Sequence, residues 1–196
     1  MFNQLNKWFA ATLLSLNLKK IQYIWFMTKN TPINEISISY NNTSILNTTN
    51  TKFLGLVNAN SLSWKDHITQ LISKLSKACY VLWRIRPFMS QDALKAVYHS
   101  DFHSLISYGI IFWGNSSYNQ HIFWLQKKAV RIITGSRPRD SCRKLFKHLR
   151  ILPLQSQYVL SLLTFVVDNK NFFMQIQKYR ALILDKILTF ISLRQT

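Results

Sequence analysis

The hydrophobic rhythm of the chain changes near residue 63. Upstream of it, apolar residues recur with a period close to two. ISISY at 36–40 alternates strictly, IQYIWF at 21–26 is rich in β-branched and aromatic residues, and SIL at 44–46 and TKFLGLV at 51–57 follow, which predicts a series of short strands. Asn41, Asn42 and Thr43 supply the turn into the third of these, and the polar tract NTTNT at 47–51 predicts a loop. Ahead of the strands, Leu5, Trp8, Phe9, Leu13 and Leu16 fall roughly on one side of a helix over residues 3–17, which ends near Asn17.

Downstream of residue 63 the spacing becomes three and four. Ile68, Leu71, Ile72, Leu75, Cys79 and Leu82 form one stripe, with Lys74, Lys77 and Arg84 on another face, Ser63 suited to the N-cap and Pro87 closing the helix. Ser90 starts a second helix with Asp92 in its first turn and Leu94, Val97, Tyr98, Phe102, Leu105 and Ile106 as its stripe. A third begins near Tyr118 and carries Ile122, Leu125, Ala129, Ile132 and Ile133; Gly135 and Pro138 end it. A short helix around Ser141 to Leu149 and another from Pro153 to about Asn169 complete the series. The predicted fold class is α+β, predominantly helical, with a small antiparallel β-sheet near the N-terminus followed by a helical bundle.

Charge adds a site to this outline. The chain has 25 basic and 7 acidic residues, a formal net charge of +18, yet 48% of its residues are hydrophobic, so it can build a core and is not a disordered polybasic tail. Nine Lys or Arg lie between Lys127 and Arg150, against the single acid Asp140. Lys127, Lys128, Arg131, Arg137, Arg139, Arg143, Lys144 and Lys147 surround the GSRPRD loop, and a basic corner of this kind suits a polyanion: RNA or DNA, held through phosphates with little sequence preference. The same run also reads as a solvated face. An anionic membrane surface is the weaker match, and no apolar run approaches the ~18 residues of a spanning helix.

Other chemistry is sparsely represented. Cys79 and Cys142 lie far apart with no Cys or His at ligand spacing, so both are expected as reduced thiols. His99 and His103 stand at i and i+4, but without an H-E-x-x-H arrangement they read as polar histidines of a helix surface and no metal site is expected. The seven acids include no two closer than nine residues, no motif places a nucleophile, and the four glycines form no phosphate-cradling loop, so no catalytic residue and no small-molecule substrate are assigned. The N-terminal stretch mimics a signal peptide, with Lys7 ahead of a short apolar run. Asn and Lys follow where a small-residue cleavage site belongs, so an amphipathic helix is expected and secretion is not.

Several motifs in fixed order carry a resemblance. FLGL (53–56), LSWKDHI (62–68), KLSKACYVLWRIR (74–86), YHSDFHSLISYGIIFWG (98–114), LQKKAVRIITG (125–135) and SCRKLFKHLRILPLQSQYV (141–159) resemble the carboxyl-terminal part of the reverse transcriptases of jockey-like non-LTR retrotransposons. WFAATLLSLNLKKIQYIWF (8–26) is similar to the palm segment that follows the catalytic aspartates of those enzymes. The resemblance implies a palm remnant over 1–62, a helical thumb and connection region over 63–170 and a divergent tail over 171–196. It also implies that Lys52, Phe53, Leu54, Gly55 and Leu56 correspond to the primer-grip turn. The family's metal-binding aspartates are expected upstream of Asn3, so Mg²⁺ is expected only for a full-length family enzyme and no cofactor for this chain. An intracellular place, nucleus or cytoplasm, follows from the same resemblance.

The departures are local. Ile21 stands in place of a family threonine, Asn58 and Ala59 replace a usual Ile-Asp pair, and the pattern lapses after about Phe173. The expectation is therefore a fragment of an RNA-directed DNA polymerase that lacks the catalytic aspartates and retains nucleic-acid binding. The alternative is a non-catalytic structural or interaction protein, or the inactive product of a decayed element.

Overall fold

The computed structural model describes residues 2–14, 17, 20–26, 37–40 and 43–175. Expectations for Leu16, Ile36, Asn41, Asn42 and the tail beyond residue 175 lie outside them. The fold is α+β and predominantly helical, with short strands near the N-terminus followed by helices. The chain divides into two compact units, Met1–Gln70 and Leu71–Thr196.

In the first unit, helix α1 (Phe2–Ala11) stops well short of Asn17. Leu13 turns into the left-handed region at φ 57°, the Leu13 N–H bonds the Ala10 carbonyl at 3.2 Å, and the Leu14 N–H reaches back to the Phe9 carbonyl at 2.8 Å. This is a Schellman closure with leucine where glycine is usual. It turns Leu13 away from the expected apolar side, and Leu13 is almost fully exposed.

Six short strands follow: β1 (Gln22–Tyr23), β2 (Ser39–Tyr40), β3 (Thr43–Ser44), β4 (Leu46–Asn47), β5 (Asn50–Phe53) and β6 (Leu56–Ala59). They pair as three two-stranded ladders, antiparallel for β2–β3 and β5–β6 and parallel for β1–β4. Two sequence expectations change here. TKFLGLV is not one strand, because Leu54 and Gly55 both take positive φ (45° and 79°) and fold it into a β5–β6 hairpin. That pair of angles is the two-residue hairpin geometry whose twist matches its strands. NTTNT is not wholly loop either, since Asn47 belongs to β4 and Asn50 and Thr51 to β5.

Helix α2 (Lys65–Ile85) begins one residue later than a Ser63 cap requires, with Trp64 at φ 59° just before it. Ile68, Leu71, Leu75, Cys79 and Leu82 are buried along it, as the stripe predicts, and a 3₁₀ turn (Arg86–Phe88) takes the chain through Pro87. In the second unit, Ser90 caps α3 (Gln91–Val97), its side chain accepting from the Ala93 N–H at 3.3 Å. One π-helical turn (Tyr98–His103) then leads into α4 (Ser104–Ser107), and the Ser104 N–H bonds the His99 carbonyl five residues back. After Gly109 at φ 61° come α5 (Ile110–Trp113), α6 (Gln120–Thr134), α7 (Cys142–Leu149) and α8 (Leu154–Asp168).

The core of this unit is built from Leu94, Tyr98, Phe102 and Ile106, from Ile110 and Trp113, and from Ile122, Leu125, Ala129, Val130 and Ile133 of α6. Each large side chain among them contributes about 1.5–3 kcal/mol by leaving water. One polar residue lies in the same core: Gln126, fully buried. Its Nε2 donates to Tyr98 Oη at 3.0 Å and to the Leu152 carbonyl at 2.9 Å, and its Oε1 accepts from the Leu154 N–H at 2.8 Å. Burial pushes the Tyr98 hydroxyl up to about 12, so it stays neutral. Helix α8 is anchored through Leu154, while Val159, Leu160, Leu163 and Val167 remain exposed. Among the described residues no single helix is long and apolar enough to cross a membrane; α7 and α8 meet the length and composition only as a pair, bent by 47°.

Two substitutions test this packing. Gln126→Leu strands the buried Leu154 N–H and removes the bond to the Leu152 carbonyl, and chemical denaturation is expected to show a loss of about 1–3 kcal/mol. Gly114→Ala places a Cβ 2.5 Å from Tyr158 Cδ2 and 2.6 Å from the Ile110 carbonyl oxygen. Neither neighbour is the loose end of a side chain, so thermal melting is expected to report about 1–3 kcal/mol of destabilisation.

Candidate nucleic-acid interface

The basic corner is built on α6, the loop after it and α7. Helix α6 ends at Gly135, whose φ of 72° permits a second Schellman closure, with the Ser136 N–H on the Arg131 carbonyl at 3.1 Å. The loop that follows is held by hydrogen bonds to backbone groups. Arg131 donates from Nε (3.0 Å) and Nη2 (2.9 Å) to the Asp140 carbonyl, and the Asp140 carboxylate accepts from the Arg137 N–H at 2.8 Å. The only acid of the corner is thus engaged at the base of the loop. Helix α7 buries Cys142, Phe146 and Leu149 and leaves Arg143, Lys144 and Lys147 exposed, so its strong amphipathicity yields one cationic face. It closes a third time in Schellman fashion, with Arg150 at φ 55° in the left-handed position.

The eight predicted residues are not equivalent. Arg137, Arg139, Arg143, Lys144 and Lys147 are exposed, on the loop and α7. Lys127 is half-buried, its Nζ 4.2 Å from the centroid of the Phe123 ring, which itself stacks on Phe146 at 6.2 Å. This cation–π contact makes Lys127 a packing residue as much as a charge on the surface. Arg131 is half-buried and holds the loop. Its replacement would therefore disturb the corner's shape as well as its charge, a role that helical spacing does not reveal.

Lys128 and Arg131 line a cleft of about 680 Å³, with α2 forming the facing wall and Ser136 and Pro138 lying at the loop. The structure adds Arg86 to this cleft, a residue outside the predicted corner. A Cβ at Gly135 would lie 2.6 Å from Arg86 Nη2, so the guanidinium lies close against the Gly135 backbone. Cys79 lies at the floor, and burial raises its thiol to about 11, with the Lys128 charge partly opposing the shift. The thiol is neutral at physiological pH, the lining contains no carboxylate, and the charge of the cleft is therefore positive. Both cysteines are free. The one signal for Arg86 in the sequence is its place two residues beyond Arg84, at the end of a helix aimed toward Pro87.

The primer-grip-like residues fall in the other unit. Lys52 pairs with Val57 and Phe53 with Leu56 across the hairpin, Leu54 and Gly55 form its tip, and Leu56 is buried. Phe53 (64% exposed) and Leu54 (71% exposed) present two large apolar side chains at that tip.

The histidine pair is a close one. The His99 and His103 rings are 5.2 Å apart by centroids; His103 Nε2 lies 3.4 Å from Gln157 Oε1 and its Nδ1 3.2 Å from Ser107 Oγ. Among the described residues no group of three or more His, Cys, Asp or Glu is placed to hold a metal ion. No family model, no curated protein and no solved structure matches the chain.

Partial desolvation holds His99, an exposed residue, below the ordinary imidazole value, and the neighbouring His103 and Lys95 charges act in the same sense. The folded chain therefore binds fewer protons than the unfolded one through the ordinary histidine range, and stability falls as pH drops through about 6.5. Melting curves recorded from about pH 7.5 to about pH 5.5 are expected to show a smaller loss for His99→Asn than for the parent chain.

Proposed function

We propose that this chain is a nucleic-acid-binding portion of a reverse transcriptase of the jockey-like non-LTR retrotransposon type, binding RNA or DNA by the phosphate backbone. The reading of its ancestry rests on the order of the motifs from FLGL to SCRKLFKHLRILPLQSQYV. The reading of its activity rests on one observation: Arg137, Arg139, Arg143, Lys144 and Lys147 are exposed around a loop whose single acid is hydrogen-bonded to backbone at its base. Long, solvated cations on a fixed frame suit phosphates spaced along a strand, and they carry no base-edge code. By the family resemblance the β5–β6 hairpin corresponds to a primer grip, and Phe53 at its tip presents an exposed ring that suits a sugar or base edge.

Binding of this kind is weak and salt-dependent. Affinity is expected on the order of 10⁻⁴ to 10⁻⁶ M at physiological salt, falling steeply as salt rises because condensed counterions are released. Replacing Arg139, Arg143, Lys144 and Lys147 together with Ala spares Lys127 and Arg131, whose side chains pack or hold the loop. Filter binding to duplex DNA over a salt series is expected to show weaker affinity and a slope of log K against log salt reduced by about 3–4, near 0.9 for each phosphate left without its cation. Circular dichroism should stay unchanged. A variant that matches its parent at every salt concentration would leave the corner a solvated face and the chain an interaction protein.

A further inference from the structure

The walls of the cleft beside the corner carry aromatic rings as well as cations. Tyr80 and Trp83 of α2 and Trp124 of α6 line it, and all three are largely in water, at 60%, 54% and 67% exposure. They share the lining with Arg86, Lys128 and Arg131, so rings and cations occur on both walls. The spacing explains the arrangement: Tyr80 and Trp83 lie off the buried α2 stripe of Leu75, Cys79 and Leu82, while Trp124, Lys128 and Arg131 follow one another at four and three residues on α6. The Tyr80 and Trp83 rings are 6.0 Å apart and inclined by 37°, so they are not stacked face to face and each keeps a face open.

We infer that this cleft takes unstacked bases, which makes a single strand the preferred ligand of the nucleic-acid surface. The inference rests on the phosphate-binding reading and narrows it. Exposed indoles on opposite walls are costly to leave in water, and a flat π-surface is the partner that covers them without asking for a particular hydrogen-bond pattern. The cations decide what kind of π-surface: one attached to negative charge. Arg131 is already fixed by two hydrogen bonds to the Asp140 carbonyl, and the neutral Cys79 thiol contributes no opposing charge, so phosphates flanking a base meet preorganised positive groups. A duplex keeps its bases stacked on one another and offers the rings nothing. It can still meet Arg139, Arg143, Lys144 and Lys147 outside the cleft. An apolar helix of another protein would cover the rings and leave the three cations without counter-charge.

The test compares oligothymidine, oligouridine and a duplex of equal length on the full chain, by fluorescence anisotropy at one fixed salt concentration, with tryptophan emission recorded in parallel. The parent is expected to bind the single strands more tightly than the duplex, with tryptophan emission quenched only by the single strands. Replacing Trp83→Ala and Trp124→Ala together should weaken single-strand binding at least about fivefold, the lower bound for losing one stacked base. Duplex binding should stay that of the parent. Trp83→Phe with Trp124→Phe keeps the rings and should recover most of the affinity, which separates stacking from folding. Equal weakening toward single strand and duplex, or none toward either, overturns the stacking inference and leaves phosphate binding in place. A parent that binds none of the three ligands overturns both. If sedimentation shows the chain self-associating and the tryptophan variants monomeric, a second copy fills the cleft and the inference falls. The two oligomers distinguish RNA from DNA as the source of the strand.

Discussion

A single buried amide holds the second unit in register. Gln126 sits in the middle of the α6 stripe, and its three hydrogen bonds reach Tyr98 in one direction and the Leu152–Leu154 segment in the other. A made hydrogen bond is worth only about 1 kcal/mol net, whereas a stranded partner in the interior costs about 1–3 kcal/mol, so the amide acts by excluding other arrangements. The segment at its far end is the one that emerges from α7. With Gly135 closing α6 ahead of the loop and Gln126 receiving the chain behind α7, the cationic stretch between them is fastened at both ends. Charge alone would drive such a stretch outward, since +18 on one chain repels itself.

The fastening is accomplished without using up the charge. Arg131 gives two donors to a neutral carbonyl, and the Asp140 carboxylate goes to a backbone N–H. Lys127 lies over a ring. These contacts set the shape of the corner at little electrostatic cost, and the more exposed cations stay hydrated. Closures of the same kind recur at the ends of α1, α6 and α7, yet only α6 has glycine in the left-handed position. Leu13 and Arg150 occupy that conformation with a Cβ, at roughly 1 kcal/mol or more each. A chain that accepts such strain at two of three closures is not tuned for maximal stability in this form.

The outline of the fold is legible where periodicity is long. The stripes of α2 and α6 are buried as spaced except for the half-buried Ile72 and Ile132, Ser90 caps α3, and the short helix from Ser141 is α7, because several apolar residues at one spacing leave a single face to bury. Short elements are less legible. The left-handed angles at Leu13, Leu54 and Trp64 fall on residues that do not favour them, so neither the early end of α1 nor the start of α2 carries a signal, and the hairpin inside TKFLGLV carries only Gly55. At the site, the number of cations is plain from the chain but their tasks are not, since the Arg131 bonds and the Lys127 ring contact depend on where the loop and Phe123 come to lie. Phe146 is buried, as its spacing suggests, while Trp124 is exposed where packing would be expected of a large aromatic. A signal exists: Trp83 and Trp124 both fall outside the stripes of their helices, and a large aromatic off the stripe marks a surface feature.

The π turn has a consequence for how this chain keeps its direction. Leu94, Tyr98, Phe102, Ile106 and Ile110 are all buried and stand at an unvarying interval of four. On an α-helix, four residues overshoot a full revolution by about 40°, so a row at that interval winds steadily around the axis and would leave the core within a few steps. The wider turn at Tyr98–His103, bonded five residues back, undershoots and resets the angle midway. Gly109 makes a second correction before Ile110. The interval of four is thus a row that ordinary helix cannot keep straight, and the chain keeps it straight by changing gauge once and breaking once.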